Sequence, residues 1–285
     1  METIREILDP DFLLRNSVCI SLLVGFAAPL VGIYLFLRRL IFMGVALPQI
    51  SSCGIAFAFA LQGWGLLRHA HDTAEERALA LLGSTIFTLA GIMTFTALER
   101  RGRGSPESRI GALYVLAGAA SILLLVKNPV GEHGMLDMLK GEIIAVTNGE
   151  LAFTAAIFAV VTAPLVAFRK HFLMVSYDRE MALTLKKPVL FWDGLLFTLI
   201  GLTISTSVLS VGPLVTFGFL LLPAMIAYQF ARTMRQFALL SSFIGGVTAF
   251  TGFAFAYHWD LPVGATDIVL LGMLLIVAWG ARKVF

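Results

Sequence analysis

Charge is what this sequence has least of. Aspartate, glutamate, lysine and arginine make up 14% of its 285 residues, against roughly a quarter in a soluble domain. None of them lies near the centre of a long apolar run. A chain this poor in charge and 58% hydrophobic cannot cover one core with a wettable surface, so it reads as a membrane protein. Cysteine is scarce too. Cys19 and Cys53 both fall in apolar runs, which leaves no basis for a disulfide framework or a zinc motif, and Cys19 reads as a small buried hydrophobe. The net charge of +3 belongs to membrane topology rather than to nucleic-acid binding. There is no Gly-x-x-x-x-Gly-Lys-Ser/Thr, no Gly-x-Ser-x-Gly and no His-Glu-x-x-His, so neither ATP binding by a phosphate loop nor intramembrane hydrolysis is expected. Mid-span acids and histidines are missing as well, which counts against a proton-driven carrier. Glu2, Glu6, Asp9 and Asp11 precede the first apolar run, the wrong charge for a cleavable signal peptide.

What is present is a series of apolar segments, each near the ~20 residues a bilayer requires. Nine can be drawn, at 14–37, 40–62, 78–98, 109–126, 151–168, 191–210, 213–231, 236–257 and 264–281. The expected fold is an all-α polytopic bundle forming a single domain over 1–285. The tight joint Val211-Gly212-Pro213 leaves open eight spans plus a broken or re-entrant helix. Arg15, Asp193, His258 and Asp267 sit near segment ends, where they are expected to reach the interface.

Basic residues set an orientation. Arg38 and Arg39, Arg100, Arg101 and Arg103, Arg169, Lys170, Arg179, Lys186 and Lys187, Arg232 and Arg235, and Arg282 and Lys283 all follow odd-numbered spans. These are fourteen of the twenty-one lysines and arginines. Positive-inside bias then places those loops and the C-terminus in the cytoplasm and the N-terminus outside. The longest cytoplasmic loop, 169–190, contains Ser176-Tyr177-Asp178-Arg179-Glu180-Met181-Ala182-Leu183-Thr184-Leu185. It reads as a short helix with Ser176 at its N-cap, acids in its first turn, and Lys186 and Lys187 at its end. Outside, His69, His71, Asp72, Glu75 and Glu76 form a small cluster that reads as a solvated loop face. In the loop 127–150, which also holds His133, the pair Met135 and Leu136 suggests a short surface helix.

The most informative stretch is 38–62. Its flanks are those of a transmembrane helix, yet its middle carries Pro48, Gln49, Ser51, Ser52 and Cys53. Groups of this kind need partners inside hydrocarbon, so they face either protein or a polar path. Thr206, Ser207 and Ser210 in the sixth segment are further candidates for lining such a path. Bonding between neighbouring helices is the competing explanation for all of them.

Three segments together resemble one family, the membrane permease subunits of ATP-binding-cassette importers for zinc, manganese or iron. Tyr34 through Gly44 and on to Gly54-Ile-Ala-Phe-Ala resembles its second-span motif, in which Met-Gly-Asp-Ala-Leu-Ser-His-Ala is followed by Pro-Gly. Ser176 to Leu185, followed by Pro188 and Val189, is similar to its cytoplasmic coupling segment. Val211-Gly212-Pro-Leu-Val, then Leu220-Leu-Leu-Pro223-Ala224 and Ala227, looks like its Val-Gly-x-Leu-Leu … Ile-Pro-Ala-Ala-x-Ala span. Gly141-Glu-Ile-Ile-Ala145-Val-Thr147 resembles a further segment, and the match runs in order from about 15 to 280. One departure stands out. The family's Asp falls on Val45, its Ser on Pro48, its His on Gln49 and its Pro on Cys53, so no metal-ligand pair is carried over.

The resemblance implies a non-enzymatic permease subunit of a bacterial inner-membrane importer, working as a homodimer without a cofactor of its own. ATP would be hydrolysed by a separate cytoplasmic ATPase, and a binding protein would deliver cargo outside. Asp178, Glu180, Ala182 and Leu185 would contact the ATPase, while Gln49, Ser52 and Cys53, with Thr206, Ser207 and Ser210, would line the pathway. The cargo would be zinc, manganese or iron. The alternatives are a metal chelate, a small neutral solute, or a non-transporting membrane scaffold.

Overall fold

A computed structural model describes residues 12, 14–64, 73–100, 105–126 and 146–284. The described residues form nine long helices: α1 (Arg15–Leu37), α2 (Ile41–Gly63), α3 (Thr73–Arg100), α4 (Pro106–Val126), α5 (Asn148–Ala167), α8 (Val189–Val211), α9 (Pro213–Phe230), α10 (Met234–His258) and α11 (Val263–Val284). Two short helices, α6 (Arg169–Tyr177) and α7 (Arg179–Thr184), fill the link between α5 and α8. No strand occurs among the described residues. All nine long helices have the length and apolarity to cross a membrane, and they match the nine expected segments one to one.

At Gly212 the backbone takes a φ of 81°, one that side chains with a Cβ rarely adopt, and Pro213 then starts α9 at a position where a missing N–H costs nothing. The helices on either side, α8 and α9, are each long and apolar enough to span a membrane.

The same scarcity of charge makes every long helix apolar all round, so burial is decided by neighbours rather than by an amphipathic stripe. Helices α1 and α2 are the most enclosed, with 72% of their apolar windows buried, while α4 has only 17%. Helix α1 packs on α9 and α10, α2 lies between α3 and α4, and α8 touches α1, α2, α3 and α5. Without water to expel, such helices gain from close van der Waals contact through small residues. Gly54 of α2 and Gly83 of α3 show this: a Cβ on either would lie 2.5 or 2.6 Å from the other's carbonyl oxygen.

Side-chain bonds tie down the starts of α1 and α5. Thr147 caps α5 in a reciprocal box, its Oγ1 accepting from the Glu150 N–H while Glu150 Oε2 accepts from the Thr147 N–H. Glu150 also pairs with Arg77 of α3. Asn16 Nδ2 at the start of α1 donates to Val146 O and Asn148 Oδ1, both at 2.9 Å.

Two expectations about charged residues are corrected. Asp193 does not reach out to an interface: it is buried in the first turns of α8 and paired with Arg38. Asp267 is fully buried, with its carboxylate against the backbone of Gly252, a position without room for a Cβ. Neither of its oxygens has a hydrogen-bond partner among the described residues. His69, His71, Asp72, His133, the Met135–Leu136 pair and the N-terminal acids lie outside the described residues.

The Gly54–Gly83 contact sets a test. Gly54→Val should lower the temperature at which detergent-solubilised protein loses its monodisperse peak by several degrees, because overpacking costs about 1–3 kcal/mol. Gly111→Val should behave as wild type, since nothing lies within 4 Å of that Cβ position. Equal behaviour of the two variants would rule out the close approach of α2 and α3.

Candidate functional site

Helix α2 carries its polar groups at mid-length. Pro48, buried inside the helix, has no N–H to give the Gly44 carbonyl, so one rung of the helical ladder is missing beside them. Beyond it the polar side chains divide between two faces. Val45, Gln49 and Cys53 recur every four residues and share one stripe. Gln49 lies against α4, with its Nε2 3.3 Å from where a Cβ on Gly118 would stand. The Cys53 thiol shares a hydrogen bond with Ser121, whose own hydroxyl donates to Ala117 O at 2.7 Å. Ser52 is buried within α2. Val45, half-buried on the same stripe, offers only methyl groups.

Ser51 points the other way, and the structure adds residues there that sequence reasoning did not select. Ser51 Oγ and Ser84 Oγ of α3 are 2.5 Å apart. Thr88 Oγ1 donates to Ser84 O at 2.8 Å and lies 3.4 Å from Ser205 Oγ of α8. A ladder of buried hydroxyls therefore joins α2, α3 and α8. The available signal was the spacing of Ser84 and Thr88, one helical turn apart in an otherwise apolar span.

On α8, Thr206 and Ser207 are buried, and neither hydroxyl has a hydrogen-bond partner among the described residues. Ser210, one turn further on, is half-buried. Although α2 and α8 are neighbours, no hydrogen bond among the described residues links Gln49 or Cys53 to α8. The predicted pathway residues thus occupy adjacent helices without forming one bonded cluster. Nor do the described residues hold any group of three or more His, Cys, Asp or Glu arranged for a metal ion.

The second predicted region lies between α5 and α8 and is two helices rather than one. Asp178, not Ser176, caps α7: its Oδ1 accepts from the Met181 N–H at 2.8 Å. Ser176 lies within α6, and its hydroxyl accepts from Arg38 Nε at 3.0 Å. A carboxylate is the better acceptor at a helix N-terminus, and the serine hydroxyl is already engaged. Glu180 is exposed in the first turn of α7. Ala182 is fully buried in a cluster with Val175 and Val189, so it packs inward instead of offering a surface. Tyr177, Met181, Leu183 and Leu185 are the exposed apolar residues. Beneath them His171 stacks on Trp192, their ring centroids 4.4 Å apart and planes 16° from parallel, which fixes α6 to the start of α8.

The sequence profile of the ABC 3 transport family matches residues 11–281. A membrane protein of Synechocystis sp. is 26% identical over 288 residues, covering 99% of this chain and 95% of that protein. The manganese import system permease protein ScaB of Streptococcus gordonii is 24% identical over 278 residues, covering 98% and 94%. Among solved structures, PsaBC from Streptococcus pneumoniae in complex with Fab is similar with a TM-score of 0.84 and 23% identity, covering 98% of this chain and 94% of that one; at this identity the likeness is one of fold. Matched by one profile from residue 11 to residue 281, the chain belongs to the ABC 3 transport family.

Proposed function

We propose that this chain is the membrane-spanning permease subunit of an ATP-binding-cassette importer in a bacterial cytoplasmic membrane, and that it carries a divalent transition metal, manganese foremost. Two copies form the pathway, each with a separate cytoplasmic ATPase, and a binding protein delivers cargo from outside. The basic loops and the α6–α7 segment face the cytoplasm.

The observation that carries this reading is the family match over residues 11–281 in a sequence with no phosphate-binding loop among its residues. A transport protein of that family without the means to bind ATP depends on a partner that has it. The manganese importer ScaB among its relatives supplies the cargo class. Three features fit these roles. The apolar side chains of Tyr177, Met181, Leu183 and Leu185, next to Asp178 and Glu180, give an ATPase a docking surface with a polar rim. The stripe of Gln49, Ser52 and Cys53 on α2 puts an amide, a hydroxyl and a thiol at mid-depth. Thr206 and Ser207 add buried hydroxyls with unused bonding capacity, which an ion can satisfy once α8 moves during transport and uncovers them. Cargo held by such neutral groups is bound weakly, as passage requires.

Proteoliposomes containing the permease with its co-purifying ATPase and binding protein should take up manganese when ATP is supplied inside. Parallel arms with zinc, ferrous iron and a ferric chelate identify the cargo. The double variant Val45→Asp, Gln49→His should bind manganese about ten times more tightly or better, since it adds a carboxylate and an imidazole one turn apart. Uptake of the chelate alone would replace the metal-ion assignment, and no ATP-driven uptake in any arm would end the permease reading.

Docking gives an independent test. Leu183→Asp should reduce ATPase co-purification by about tenfold, as expected for a charge buried in an apolar interface. Asp178→Ala should weaken it less, through loss of about 1 kcal/mol of capping, and Asp178→Asn should restore it. Unaltered binding by all of these variants would place the ATPase contact elsewhere.

A further inference from the structure

Arg38 lies outside both the polar stripe and the docking surface, yet it touches elements belonging to each. It is the C-cap residue of α1, its backbone N–H donating to Tyr34 O. The next residue, Arg39, adopts φ 56°, a left-handed conformation unfavourable for a residue with a Cβ. Leu40 N–H then donates to Leu35 O at 2.9 Å, and α2 begins at the following residue. The turn between α1 and α2 is therefore tight and conformationally demanding, and something must hold it.

The Arg38 side chain provides that hold through three separate contacts. Its Nη2 donates to Asp193 Oδ1 of α8 at 2.6 Å, with the two side chains only 12% and 11% exposed. Its Nε donates to Ser176 Oγ of α6 at 3.0 Å. Its guanidinium carbon lies 5.1 Å from the centre of the Phe197 ring, one turn further along α8. Planar guanidinium donors suit such simultaneous engagement, which a lysine cannot reproduce. The positions of the partners give the arrangement its meaning. Ser176 stands two residues before Asp178, the cap of α7. Asp193 stands on the helix that carries Thr206, Ser207 and Ser210, and Arg38 itself precedes the helix that carries Gln49, Ser52 and Cys53.

We propose that Arg38 is a positioning residue for transport. It latches the α1–α2 turn and the start of α8 to the α6–α7 segment, so that a displacement of that segment by the ATPase reaches both pathway helices at one point. This inference rests on the permease reading above. Ring contacts already join α6 to α8 through His171 and Trp192 and to α1 through Tyr34 and Phe172, and Arg38 adds the ion pair and hydrogen bond that tie the α1–α2 turn to both.

The test measures manganese uptake and ATP hydrolysis on the same reconstituted vesicles. Arg38→Met should lower the ions carried per ATP by roughly tenfold or more, with the ATPase still bound and its turnover within about twofold of wild type. Asp193→Asn should act in the same direction. Arg38→Lys, which keeps the charge and loses the fork, should fall between, and the swap Arg38→Asp with Asp193→Arg should recover part of the ratio. An unchanged ratio in Arg38→Met would overturn the latch. A parallel loss of uptake, hydrolysis and assembly that neither Lys nor the swap restores would also overturn it, assigning the residue to folding alone. If wild-type vesicles take up zinc, ferrous iron or the chelate but no manganese, the cargo assignment fails while the latch is still decided: the same loss per ATP in Arg38→Met should then be read on the cargo that is carried, and an unchanged ratio there would reject it.

Discussion

Hydrocarbon offers a polar group no water to bond with, and the arrangement of this bundle follows from where each polar group finds a substitute. Most threonines solve the problem within their own helix: Thr203, Thr216 and Thr248 each donate to the carbonyl four residues earlier. Ser51, Ser84, Thr88 and Ser205 solve it between helices, which ties α2, α3 and α8 together at mid-depth. Arg38 and Asp193 neutralise one another at the basic end. Against this background of satisfied groups, the hydroxyls of Ser21, Thr85, Thr206 and Ser207 and the Asp267 carboxyl have no hydrogen-bond partner among the described residues. Thr206 and Ser207 lie on one of the helices proposed to line the pathway. Asp267 sits in a tight seat opposite Gly252, for which no part of the proposed transport cycle gives a use.

The architecture was legible because a membrane reduces the problem to length and hydropathy. Nine runs of near-bilayer length became nine helices with ends shifted by a few residues. Gly212 and Pro213 marked a corner that sequence reading could place but not classify, because a glycine at positive φ serves a turn and a broken helix equally well. Side-chain partners were far less legible. Asp193 and Asp267 were assigned to the interface by their distance from segment ends, but rotation about the helix axis, not depth, decides whether such a residue meets solvent, a cation or a packed backbone. The same blindness hid Ser84 and Thr88, whose significance depends on Ser51 and Ser205 lying opposite.

Local helix chemistry misled at one instructive point. Ser176 and Asp178 are both good N-caps in isolation. The choice fell to Asp178 because a guanidinium 138 residues away in sequence claims the Ser176 hydroxyl. A capping rule sees a few neighbouring residues, whereas that competition is settled by tertiary structure. Ala182 is a similar case. Its small side chain lets α7 settle on Val175 and Val189, and this inward seating is what turns Met181, Leu183 and Leu185 outward.

Pro48 gives α2 a mechanical character that its neighbours α3 and α4 lack. Removing one backbone bond from the ladder leaves two stiff rods joined by a compliant joint, and the joint falls beside Gln49, near the start of the polar stretch. About fifteen residues lie beyond it, a lever of roughly 22 Å at ~1.5 Å per residue. A bend of only about 10° at Pro48 therefore sweeps the Gly63 end through nearly 4 Å, by simple geometry on that lever. Gln49 and Cys53, close to the fulcrum, turn through the same angle while hardly changing place.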